Sequence, residues 1–119
     1  METRPIITAE AVIGDLADKA GAAARLLKLL ANERRLLVLC RLAAAGEVSV
    51  GALAEAVGLS QSALSQHLSL MREESLVAFR RDGQTLHYSI ADPAVAHLLS
   101  TLKNIYCEPS GIAGRGNTP

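Results

Sequence analysis

The chain has 119 residues, half of them apolar, with aromatics at only 3% and a formal net charge of zero. That length supports one domain with a modest core, and the scarcity of aromatics favours an aliphatic helical core over a β-sandwich. A fold-wide basic field is excluded, so any nucleic-acid affinity must come from local charge placement. No apolar run reaches the length of a membrane span, and "METRPIITAE" lacks the core of a signal peptide. A cytoplasmic protein is expected, with no membrane partner.

Thr8 is positioned to cap a first helix with Val12, Ile13, Leu16 and Ala20 on one stripe, bent or broken at Gly21. Asn32 caps the next helix, "ERRLLVLCRLAAA", closed by Gly46. Residues 25–41 carry Arg25, Lys28, Arg34, Arg35 and Arg41 against only Glu33, whereas residues 1–18 are mainly acidic. Charge is segregated, not absent. On this third segment Cys40 is expected to face inward with Leu36, Leu39 and Ala43.

Ser49 caps a short helix with Val50, Leu53, Ala54 and Val57 at helical spacing; Gly58 ends it and Ser60 caps another. Two short capped helices around a glycine turn predict a helix-turn-helix. Next, "LVAFRRDGQTLHYSI" alternates with period two. With Asp82-Gly83 as a type I′ turn, Phe79 faces Leu86 and Val77 faces Tyr88. Asp92-Pro93 then starts a last helix with Val95, Leu98, Leu99, Leu102, Ile105 and Tyr106 on one stripe, stopping near Cys107 before Pro109. The predicted organisation is one domain over residues 1–108 and a disordered tail over 109–119.

The segment "SQSALSQH" holds three serines, two glutamines and a histidine in eight positions. With Leu64 as origin of a helical wheel, Ala63, Leu68, Leu70 and Met71 gather on one side. Gln61, Ser62, Ser65, Gln66, Ser69 and Arg72 form the opposite arc. Hydroxyls and amides suit base edges and phosphates in a DNA major groove, and Arg80 and Arg81 near the hairpin tip suit backbone contact. His67 falls on the apolar side and reads as a packed histidine bonded to a neighbouring backbone group.

The order of elements and the run "SALSQHL" resemble the ArsR family of winged-helix repressors over roughly residues 22–107. The resemblance implies a mainly α fold with a small β-hairpin and a homodimer built from the first and last helices. It also implies a near-palindromic double-stranded operator. The sequence has no Cys-x-x-Cys, P-loop or Gly-rich dinucleotide fingerprint, so no enzyme activity and no cofactor are expected. The metal-sensing ligand patterns are missing: "EVSVGAL" has no Cys-x-Cys, and His97 stands alone in "DPAVAHLLSTLKNIYC". Cys40 and Cys107 are instead similar in placement to the BigR/SqrR persulfide-responsive branch. That resemblance implies reactive sulfur species as inducer, an intrasubunit disulfide or polysulfide bridge, and derepression. A metal- or arsenite-responsive repressor using the thiols as ligands is the alternative.

Overall fold

The computed structural model describes residues 9–107, with side chains from Gly14 onward. Thr8 and the tail from 109 to 119 lie outside the described residues. The elements run α1 (Ala9–Asp18), α2 (Ala20–Leu30), α3 (Glu33–Ala45), β1 (Val48–Ser49) and α4 (Val50–Val57). They continue with α5 (Gln61–Glu73), β2 (Val77–Asp82), β3 (Thr85–Ile90) and α6 (Pro93–Cys107).

The first break comes at Lys19, two residues before Gly21, so Ala20 belongs to α2 and not to the stripe of α1. There the Lys19 amide bonds back to the Leu16 carbonyl at 2.9 Å, a tighter turn than the α-helical ladder. Asn32 is extended, and its side-chain oxygen accepts from the Arg35 amide, starting α3.

α3 is the central helix, packed on α2, α4 and β3. Its buried residues are Val38, Leu39 and Leu42, and Cys40 is exposed, as is Ala43. The inward stripe is therefore rotated by about one residue, roughly 100°, from the expected one. Leu36-Leu37-Val38-Leu39 is apolar around the whole turn and fits either stripe.

Ser49 and Ser60 cap α4 and α5 as expected, accepting from the Ala52 and Ala63 amides. Between the helices Gly58 adopts φ 71° and ψ 36°, with its amide and that of Leu59 bonded back to α4. A Cβ is disfavoured in this left-handed conformation, so glycine sets the angle between α4 and α5. Leu64, Leu68 and Met71 seat α5 in the core. Leu70 does not join them; it is 42% exposed.

The hairpin forms two residues out of the expected register. Phe79 pairs with Tyr88, Val77 with Ile90 and Asp82 with Thr85, leaving Gly83-Gln84 as the turn. Gly83 has φ 66° and Gln84 is not in the positive region, which matches a type II′ turn, with glycine first, instead of type I′. A shift of two preserves every side chain's face, so apolar alternation does not distinguish the registers. β1 is a third strand absent from the expected hairpin. It pairs Val48 with Tyr88, giving an antiparallel sheet in the order β1-β3-β2.

Asp92 Oδ1 accepts from the Ala94 amide at 2.9 Å and opens α6 at Pro93. Val95 is fully buried, but Leu98, Leu99, Leu102 and Ile105 are half-buried and Tyr106 is exposed. The architecture is mainly helical with a small antiparallel wing after a helix-turn-helix: a winged helix. No helix among the described residues is long and apolar enough to cross a membrane.

Candidate nucleic-acid interface and thiol pair

α5 presents Gln61, Ser62, Ser65 and Gln66 exposed on one side, with Ser69 half-buried beside them. Leu70 borders this face, sharing a shallow depression with Ser65, Gln66 and Ser69. The helix therefore offers uncharged donors and acceptors plus one apolar edge, on a scaffold fixed by Leu64, Leu68 and Met71.

Arg72, expected on the same arc, is drawn to the wing. Its guanidinium carbon lies 5.2 Å from the Phe79 ring centroid, and Nη1 donates to the Tyr88 hydroxyl at 3.1 Å. The Phe79 and Tyr88 rings are themselves 5.4 Å apart. One face and one donor of Arg72 are thus engaged within the chain, which couples the end of α5 to the sheet. Phe79 and Tyr88 were legible only as alternating apolar residues; their aromaticity beside Arg72 was the available signal.

Of the two wing arginines, Arg80 donates from Nε and Nη2 to both carboxylate oxygens of Glu47, at 2.9 and 3.0 Å. That hydrogen bond holds the Glu47 carboxyl below the usual carboxylate range and raises the Arg80 guanidinium. Glu47 was not among the residues that the sequence singled out. Arg81 is exposed and sits opposite Leu86.

His67 is half-buried on the inner side of α5, and its partner is a side chain, not the expected backbone group. Arg35 Nε donates to His67 Nδ1 at 3.2 Å, while Arg35 Nη1 donates to the Leu29 carbonyl at 3.3 Å. Burial first, then the charges of Arg35 and Arg34, lower the pKa of His67. An accepting Nδ1 fixes the neutral tautomer with its proton on Nε2. The histidine ties α5 to the junction of α2 and α3 and serves as structural wiring.

Both thiols are free and exposed. Cys40 lies in a shallow groove between α3 and α4 with Leu37, Arg41, Ala44, Ala56 and Val57. Cys107 ends α6. α6 makes its main contact within the described residues with β3, and that contact is small. The groove at Cys40 reaches Ala56 and Val57 at the end of α4, next to the Gly58 turn that aims α5. Among the described residues no group of three or more His, Cys, Asp or Glu side chains gathers closely enough to hold a metal ion.

Comparison with known proteins gives a consistent set. The family model described as bacterial regulatory protein, arsR family, matches residues 32–78, from the cap of α3 into β2. The chain is 45% identical over 95 residues to the HTH-type transcriptional regulator YgaV of Escherichia coli, covering 80% of this chain and 96% of that protein. Among solved structures, the transcriptional repressor BigR from Xylella fastidiosa superposes with a TM-score of 0.75 at 36% identity, covering 85% of this chain and 98% of that one. Reduced HlyU from Vibrio cholerae gives a TM-score of 0.73 at 41% identity, covering 79% and 98%.

Proposed function

This chain belongs to the arsR family of bacterial transcriptional regulators, and from that premise we propose that it is a homodimeric, thiol-switched repressor reading a near-palindromic operator. The observation that carries DNA reading is the exposed Gln61, Ser62, Ser65 and Gln66 face of α5, held behind a capped helix-turn-helix. Ser69 and Arg72 extend that face toward the wing. In a two-fold dimer the paired α5 helices enter successive major grooves about 34–36 Å apart. The half-exposed stripe of α6, with Leu16 and Leu27 more than half exposed on α1 and α2, supplies the apolar surface for pairing.

The switch is assigned to Cys40 and Cys107. Each thiolate takes the outer sulfur of a persulfide RSSH and releases RSH. The resulting cysteine persulfides condense within one subunit with loss of hydrogen sulfide, leaving a trisulfide. One cysteine persulfide attacked by the other thiol gives a disulfide by the same loss. The bridge ties the end of α6, on the proposed dimer interface, to α3, which packs on the first helix of the helix-turn-helix. That changes the spacing of the two α5 helices and lowers operator affinity. Repression is the sign carried by BigR among the solved relatives, whereas HlyU of Vibrio cholerae is a transcriptional activator.

Intact-mass analysis and operator binding, measured on the same samples, test the switch. Persulfide is expected to add one sulfur less two hydrogens per chain and to release DNA, while Cys40→Ser and Cys107→Ser stay bound. Release of both serine variants by persulfide would remove the thiol pair from the mechanism. Release of the parent by arsenite or a thiophilic metal, but not by persulfide, would transfer it to the ligand-binding alternative.

A further inference from the structure

Arg80 and Arg81 are neighbours in sequence, and neighbours on a strand point to opposite faces. Arg81 shares its face with Phe79, the ring over which Arg72 of α5 lies at 5.2 Å. That face turns toward the reading helix. Arg80 lies on the other face, opposite His87, and there both oxygens of Glu47 hold it at 2.9 and 3.0 Å.

Glu47 immediately precedes β1, and β1 and β2 are the two edges of the sheet. Ser49 and Arg80 are both partners of His87, so the Glu47–Arg80 pair reaches across β3 from one edge to the other. Beyond Val77, β2 has no buried residue. The angle of this half of the wing is set from two sides, by Arg72 against Phe79 and by Glu47 against Arg80.

We propose that Glu47 is a positioning residue for DNA binding. Acting through Arg80 it braces the wing so that Arg81 meets the phosphate backbone, and Arg80 is a strut instead of a phosphate contact. This rests on the DNA-reading function proposed above and splits the roles of two arginines that composition alone makes equivalent. Its consequence runs against simple electrostatics. Removing a carboxylate near DNA ordinarily strengthens binding, whereas removing this one is expected to weaken it.

The test uses the full chain and a duplex recovered by selection from a random library with the parent protein, with affinity followed across salt concentration. Glu47→Gln and Arg80→Gln are each expected to weaken binding about two- to fivefold, the scale of an exposed ion pair, with the salt slope unchanged. Arg81→Gln is expected to flatten the slope by roughly 0.9 per arginine lost. The exchange Glu47→Arg with Arg80→Glu restores the strut with reversed polarity and is expected to recover affinity to within about twofold of the parent. Tighter binding by Glu47→Gln, a flatter slope for Arg80→Gln, or no recovery in the exchange would each overturn the inference. A parent that selects no duplex overturns the DNA-reading function itself, and that result is visible before any variant is made.

Discussion

Leu64→Ala is expected to destabilise the domain by about 2–5 kcal/mol, the cost of a cavity at a fully buried leucine. Leu64 has no exposed surface and faces inward near the start of α5, so the loss falls where the reading helix is fastened. A domain of this size holds roughly 5–15 kcal/mol in total, making this a large fraction. Thermal unfolding followed by circular dichroism should show a fall in Tm of roughly 10 °C or more. Leu70→Ala, less than two turns on but partly out in solvent, should change stability by no more than about 0.5 kcal/mol. Equal stability losses for the two variants would mean that α5 is seated on a different face.

Leu102→Glu is expected to separate the proposed dimer while leaving the subunit folded. Leu102 is half-buried within one chain, so a carboxylate there reaches water in the monomer but is buried unpaired in the dimer. Sedimentation should show monomers with the parent's helical content. Operator affinity should fall at least about a hundredfold, because one reading head makes only half the phosphate and base contacts. Val95 is the contrast: it is fully buried within the chain, and a carboxylate there should unfold the subunit itself. An intact dimer for Leu102→Glu would move the interface away from α6.

The helix-turn-helix was readable because it is written locally. Ser49, Gly58 and Ser60 each act within four residues, through a cap or a positive φ. The hairpin's existence was equally plain, but its register was not, because alternation repeats every two residues and only the turn distinguishes the alternatives. β1 is two residues between Gly46 and a capped helix, too short for any period to appear. Cys40's exposure was hidden by an all-apolar turn at Leu36–Leu39. Glu47 with Arg80 and Arg35 with His67 were out of reach for another reason. Their partners are 33 and 32 residues apart, and only the strand order and helix packing bring them together. The polar arc of α5 needed nothing beyond helical periodicity, and its exposed residues are those the wheel placed there, apart from Ser69, which is half-buried.

The most direct measurement of the central claim, that this arc reads base pairs, compares the parent with Gln61→Ala and Gln66→Ala. Each is bound to a set of duplexes carrying every single base-pair change in one operator half-site. If either glutamine makes a bidentate contact to an adenine, its variant loses about 1–3 kcal/mol on the parent operator. It also stops discriminating at one or two positions, keeps the parent's ranking elsewhere and keeps the salt slope. Identical rankings of all duplexes by the parent and both variants would contradict base reading from α5.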